Sequence, residues 1–373
     1  MIAGDPRQGG ASWAVLQYVL GLMRMGHDVY FIEPIRPGVL FPADTPLAQS
    51  ENAAYCEMVM RDFHLEGRTA LLAGGESFGL SLDEVKNVTS RTDVLFNISG
   101  LLTDEELLDP IPVRIYLDLD PCFNQLWHEV QGIDRHFSRH NRFVTVGNSI
   151  GEPGCGVPTC GIDWIKTFQP VVLDLWPAQE TPIVYDGLTT VANWRAYGSV
   201  EHNGVFYGQK AHSLREFVQL PTMSTEKFLL ALGIHQDEKK DLEALALNRW
   251  NLLDPAEAAG TPQAYQKFIQ SSKAEFGIAK SGYVLSGCGW FSDRSACYLA
   301  SGRPVVAQET GFSSYLPTGG GLFPFQTSEH VLDAIEQINR DYSFHSRSAA
   351  SIACEYFESS KVLHRILERS GLC

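Results

Sequence analysis

Between Ser12 and Met25 apolar residues recur at helical spacing. Trp13, Leu16, Leu20 and Met23 fall on one face, and Val15, Val19 and Leu22 widen it. Ser12 is placed as an N-cap, and Gly26 follows where a left-handed residue ends a helix. The next segment, 29–32, is a continuous apolar run, the pattern of a strand covered on both faces. Further strands are predicted at 94–98, 114–118, 143–146, 188–192, 283–286 and 304–307. A short helix over 295–301 stops at Gly302, with Pro304 behind it, and a long helical stretch covers 346–367. Strands alternating with helices predict βαβ units and parallel sheets. Residues 151–182 break the rhythm with Gly151, Pro153, Gly154, Gly156, Pro158, Gly161, Pro170, Pro177 and Pro182, so they read as a connector between two α/β domains.

Composition agrees with two folded domains. The chain has 373 residues, more than one core usually serves, with 44% hydrophobic and 20% charged residues. Lys and Arg number 29 against 44 Asp and Glu, a formal charge of −15. That balance argues against nucleic acid or an anionic membrane as the main partner, while a local pair of cations for one diphosphate stays compatible with it. No apolar run is long enough to cross a bilayer, and no basic-flanked apolar leader follows Met1, so a cytoplasmic location is expected. The eight cysteines are scattered and expected as thiols; Cys155 and Cys160 lie close together but lack two further ligands for zinc.

Several segments carry candidate chemistry. Gly9-Gly10 lies between the strand end Ile2-Ala3 and the first helix, where backbone N–H groups meet a phosphate or a sugar hydroxyl; the alternative is a tight turn without a ligand. Asp118 and Asp120 close a strand, and His128 follows a helical turn or more later. Carboxylates at the carboxyl end of a parallel strand face the crevice of an open α/β sheet. These three are the catalytic candidates, for contact with an acceptor hydroxyl or the transferred sugar. The competing reading is a helix N-cap, and Asp-x-Asp also admits a metal.

Pro6-Arg7-Gln8-Gly9-Gly10, the helix, then Gly26-His27-Asp28-Val29 resembles the opening of retaining glycosyltransferases of the GT-B architecture, family 4 type. Tyr298-Leu299-Ala300-Ser301-Gly302-Arg303-Pro304-Val305-Val306-Ala307, with Thr310-Gly311-Phe312, resembles the donor-side segment of that family. The resemblance covers 2–33 and 272–325 well and 186–215 loosely. It implies two Rossmann-like domains facing each other across a cleft: an acceptor domain over 1–165, a donor domain over 166–350, and a last helix, 351–373, crossing back to the first. It implies transfer from a nucleotide diphosphate-sugar, as co-substrate, to a hydroxyl-bearing acceptor, with retention and without a metal or other cofactor. In the family's terms Gly9 and Gly10 lie against the distal phosphate, Arg195 and Lys210 hold the diphosphate, and Glu275, with Ser272 and Lys280, lies near the base. The family's two glutamates, eight positions apart, fall at Gly289 and Cys297; Asp293 and Arg294 are the candidate replacements. A nucleotide-sugar epimerase and a degenerate sugar-nucleotide-binding protein are the alternatives.

Overall fold

A computed structural model describes residues 1–178 and 181–372. The amino-terminal half holds two sheets. In one, β1 (Phe31–Pro34) runs parallel to β2 (Thr69–Ala73), which turns back into β3 (Glu76–Gly79). The other is parallel throughout: β4 (Val94–Ile98), β5 (Val113–Asp118), β6 (Arg142–Thr145) and β7 (Ile165–Lys166). The carboxyl-terminal half begins with β8 (Tyr185–Asn193) and a small hairpin of β9 (Val200–His202) and β10 (Val205–Tyr207). β11 (Phe228–Gly233), β12 (Asn251–Leu253), β13 (Ser272–Gly277), β14 (Val305–Gln308) and β15 (Leu322–Phe325) complete a parallel six-stranded sheet ordered β12-β11-β8-β13-β14-β15. From β8 the chain builds outward one way and then returns to lay β13 on the other side. The switch point therefore lies between the carboxyl ends of β8 and β13, where open α/β sheets bind ligands.

The strands at 29–32, 94–98, 114–118, 143–146, 188–192 and 304–307 fall within three residues of expectation. The segment 283–286 does not: it is the helix Ser281–Ser286, ended by Gly287 at φ +58°, and the strand before it is β13. A four-residue apolar run has no periodicity of its own, and here burial of Tyr283 against Phe123 decides it. The first helix is Gly9–Arg24 and starts ahead of Ser12, whose hydroxyl instead donates to the Gln8 carbonyl. Among the described residues Ile2 and Ala3 pair with no strand. Their N–H groups, with that of Gly4, donate to the buried Glu33 carboxylate at 3.0, 2.9 and 2.7 Å.

The long terminal helix is interrupted. Tyr342–Ile352 passes into a π-helical turn, Ala353–Phe357, and restarts as Ser359–Arg369. The break lets the backbone pair with the connector: Val171 N–H donates to Phe357 O (2.7 Å) and Ser359 N–H to Val171 O (2.9 Å). Glu358 then caps the last helix through the N–H groups of Ser360 and Lys361. That helix buries Val362, Leu363, Ile366 and Leu367 against Tyr18 and Leu22 of the first helix. Contact is so close at Gly21 that a β-carbon there would lie 2.6 Å from Leu363. Among the described residues no helix is long and apolar enough to cross a membrane.

Candidate functional site

The two halves meet around Asp120. The strand β5 ends at Asp118, whose fully buried carboxylate accepts from Asn124 (2.6 Å), Gln125 (2.7 Å) and Thr145 (2.7 Å). Burial pushes the Asp118 pKa up, and these three donors oppose it. Asp118 therefore holds the 118–125 turn and does not reach the cleft. The expected N-cap role is absent too: Cys122, at φ +78°, caps the helix Phe123–Glu129.

Asp120, two residues on, does face the other half. Its oxygens accept from Lys280 Nζ at 3.0 and 3.2 Å and from the hydroxyls of Tyr197 and Tyr283. Lys280 also bonds both tyrosine hydroxyls, and its ammonium lies 4.3 Å from the Tyr197 ring centroid, 5.0 Å from Tyr283 and 5.2 Å from Phe123. Burial first, and Asp120 next, keep both tyrosines neutral by pushing their pKa values far above ordinary. The result is a carboxylate and an ammonium inside an aromatic box, at the carboxyl ends of β5 and β13. Tyr197 and Phe123 carried no sequence signal for the site, and Tyr283 was read only as part of a strand at 283–286.

Lys280 belongs to a larger group of cations. Lys210 starts the helix Lys210–Glu216 and is depressed to about 7, first by burial, then by repulsion from Arg294 and Lys280, with Asp293 and Glu275 partly opposing. Lys210 makes no hydrogen bond or ion pair among the described residues. Arg294 differs. Its Nε donates to Glu275 Oε1 at 2.6 Å and its Nη1 to Val191 O at 2.8 Å, and both side chains of the pair are buried. Burial disfavours the guanidinium charge, but Glu275 and neighbouring hydroxyls outweigh it, so Arg294 stays protonated. Glu275 Oε2 is buried without a partner among the described residues. Glu275 and Arg294 thus form an ion pair that ties β13 to the helix Asp293–Ala300, so the guanidinium is already engaged by a carboxylate.

Other expected residues are placed elsewhere. Arg195 pairs with Glu238 at the surface, while its neighbours bond on either side of Lys210: Trp194 O accepts from Ala211 N–H, and Ala196 N–H donates to Gln209 Oε1. His128 stacks on Phe137 with Nδ1 buried and unpartnered among the described residues. Asp293 faces the first helix, in a recess lined by Trp13, Ala14, Gln17 and Cys297. Gly9 and Gly10 lie within the first helix and are packed against the other half. A β-carbon at Gly9 would lie 2.2 Å from the Thr261 carbonyl oxygen, and one at Gly10 would lie 2.9 Å from the Tyr265 ring. Trp13 Nε1 donates to Pro262 O at 2.8 Å beside them. The glycines are thus required by contact between the two halves.

The halves also join by backbone. Gly147 and Trp290 form an antiparallel bridge, and Ser149 N–H donates to Cys288 O at 3.0 Å. Gly289, between them, has φ +73°, and a β-carbon there would meet Ser149 Oγ at 2.6 Å and its amide nitrogen at 2.7 Å. Cys297 is buried, with Gln17 Nε2 3.7 Å from its sulfur. Position 289 has no room for a glutamate, which gives the absence of that acid a steric basis. No group of three metal-ligating side chains occurs among the described residues.

No protein-family model matches the sequence, and no curated protein matches it. Solved structures do. An α-glucosyltransferase in complex with UDP aligns over 100% of this chain and 98% of its own, with TM-score 0.63 and 10% identity. HepE of Anabaena in complex with UDP aligns over 99% and 98%, with TM-score 0.57 and 12% identity. AviGT4, a glycosyltransferase involved in avilamycin A biosynthesis, aligns over 99% and 92%, with TM-score 0.53 and 13% identity. Likeness over the full length of both chains, with parallel sheets in each half, defines the fold as GT-B, two Rossmann-like domains across a cleft.

Proposed function

We propose that this chain is a glycosyltransferase that moves a sugar from a UDP-sugar to an acceptor hydroxyl, with retention as in the family 4 type. The observation that carries the reading is the uncompensated charge at the switch point. Arg294 and Lys280 lie close enough to lower the Lys210 pKa, with Asp293 and Glu275 only partly opposing, and Lys210 makes no ion pair among the described residues. A diphosphate supplies the missing negative charge. As the glycosidic bond breaks, charge grows on the leaving β-phosphate, and fixed cations stabilise it without a metal. Several of the similar structures hold UDP or UDP-glucose, which supports a uridine donor. They lend the epimerase reading no support.

In this reading Lys280 moves from Asp120 to the diphosphate when the donor enters. That frees Asp120 to accept a hydrogen bond from the acceptor hydroxyl and to take its proton as the new bond forms. Asp118 positions the turn, and the Glu275–Arg294 pair holds the cation group in place. Gly9 and Gly10 let the first helix close on the donor half.

The test is a binding and turnover panel. Calorimetry with UDP-, GDP- and dTDP-sugars is followed by assay of nucleotide release with and without hydroxyl acceptors. Binding of a UDP-sugar with acceptor-dependent release of UDP is expected. Tight binding with neither transfer nor hydrolysis would instead make the chain a sugar-nucleotide-binding protein, the reading that the closed position 289 favours.

A further inference from the structure

The loops that follow β4 and β5 meet in a corner of the amino-terminal half beside Asp120. Arg135 Nη2 donates to Ser99 O at 3.1 Å, and Asn124 Nδ2 donates to Ser99 Oγ at 3.3 Å. The turn at 99–100 is left-handed, with Ser99 at φ +51° and Gly100 at φ +67°. A β-carbon at Gly100 would lie 2.8 Å from the Arg135 carbonyl oxygen, so the turn packs directly on Arg135. A serine in this conformation is uncommon, and such residues gather at binding sites. Three polar atoms of this corner are buried without a partner among the described residues: Arg135 Nε, Asn124 Oδ1 and His128 Nδ1, the last one helical turn beyond Asn124. Buried polar atoms are nearly always paired, so three orphans together mark a place where a ligand supplies the partners.

Charge indicates the kind of ligand. Arg135 forms no ion pair among the described residues. The adjacent Asp134 faces His136 instead, at 3.4 Å, and Asp118 is taken by its three donors. The guanidinium lies over Trp127, 5.4 Å from the ring centroid. Trp127 in turn meets Tyr197 edge to face at 4.8 Å, and the Tyr197 hydroxyl donates to Asp120. Trp127, Tyr197 and Arg135 are all half-buried. A strip therefore runs from the Asp120 carboxylate over two aromatic rings to an unpaired guanidinium. The loop 130–134 leading into Arg135 is exposed at every residue and turns at Gly132, φ +65°, so Arg135 adjusts to a ligand without disturbing the core.

We propose that this strip is the acceptor subsite and selects a ring-bearing acceptor that carries an acidic group, a carboxylate or a phosphate, at the end away from the reacting hydroxyl. Arg135 takes the acid through its planar fork of donors. His128 adds a donor at Nδ1, and Asn124 Oδ1 accepts from a ligand hydroxyl beside it. The ring lies on Trp127 and Tyr197, and the reacting hydroxyl meets Asp120. In a chain of formal charge −15, one unpaired cation at the end of an aromatic strip is a selective device for an anion. This assignment rests on the transfer reading and names the acceptor class for it.

The test uses the full chain with UDP present and pairs of compounds that differ in the acidic group: 4-hydroxybenzoate against 4-hydroxybenzamide, methyl α-glucuronoside against methyl α-glucoside, and 4-hydroxyphenyl phosphate against 4-methoxyphenol. Affinity is read by ligand-observed NMR, and KM and kcat with UDP-glucose as donor. The unaltered protein is expected to favour the acid of at least one pair about tenfold or more, and the pair concerned separates carboxylate from phosphate. In R135Q the ratio of acid to neutral affinity should fall to about one, and in R135K it should lie between, because a point charge lacks the fork. Equal affinity within every pair in the unaltered protein would overturn the proposal. So would an R135Q protein in which acid and neutral partners weaken alike, the mark of a merely structural contact. An acid preference that R135Q abolishes, without transfer to any compound, would uphold the anion site and overturn the transfer reading. Transfer with equal KM within each pair would overturn the subsite alone.

Discussion

The depressed pKa of Lys210 makes donor binding a proton-uptake reaction. With a value of about 7 in the free protein, about nine tenths of Lys210 is charged at pH 6 and about one tenth at pH 8. A bound diphosphate favours the ammonium, so binding at pH 8 draws in about 0.9 proton per donor and at pH 6 only about 0.1. Affinity should fall about tenfold from pH 6 to pH 8, equivalent to about 1.4 kcal/mol. UDP-glucose is the ligand of choice, because its diphosphate diester does not itself titrate in this range. Calorimetry in buffers of different ionisation enthalpy counts the protons directly. Lys210→Met should bind more weakly and without proton uptake. Uptake below about 0.3 proton at pH 8, or the same uptake in the Lys210→Met protein, would refute the assignment. The free protein carries the complementary signature. Lys210 is lowered in the folded state from its ordinary 10.5, so folding disfavours its charged form. Stability should therefore rise with pH between about 7 and 10.5, and this rise should vanish in Lys210→Met.

Four further outcomes follow from the same geometry. Asp120→Asn should retain UDP-sugar binding but lower acceptor-dependent transfer by about 10²-fold or more, measured as UDP release; unchanged turnover would remove Asp120 from the chemistry. Arg294→Met leaves the buried Glu275 carboxylate unpaired and should cost about 3–5 kcal/mol in denaturant unfolding, whereas a free donor ligand would lose affinity with little change in stability. Gly9→Ala drives a β-carbon into the Thr261 backbone, which no rotamer relieves, and should cost about 1–3 kcal/mol and loosen the contact between the halves, seen as a larger radius in small-angle scattering. Asp118→Ala should lower Tm, because it strands the buried amides of Asn124 and Gln125, while the pH profile of any remaining turnover stays that of the parent protein.

Much of the fold is local in origin and therefore readable along the chain. Trp13, Leu16 and Leu20 mark the helix that lies on the core, and the run 304–307 is a strand because a buried strand tolerates unbroken apolar residues there. The connector at 151–182 is marked by glycine and proline, which cannot sustain either period. What each charged residue does at the site was not readable in this way. A charge alone does not state its partner: Arg294 is taken by Glu275 and Arg195 by Glu238, while Lys210 is left over. The glycine pair at 9 and 10 reads in sequence as room for a ligand, and only the packing of Thr261 and Tyr265, some 250 positions away, shows that the room is occupied by the protein itself. The box around Asp120 is built from Phe123, Tyr197, Lys280 and Tyr283, which no period or motif links. Sequence by itself determined the elements and their order, because backbone geometry and burial pattern act over a few residues. Tertiary structure alone decided the pairing of charges and the closing of the halves, because those depend on distances between segments that the chain brings together only on folding.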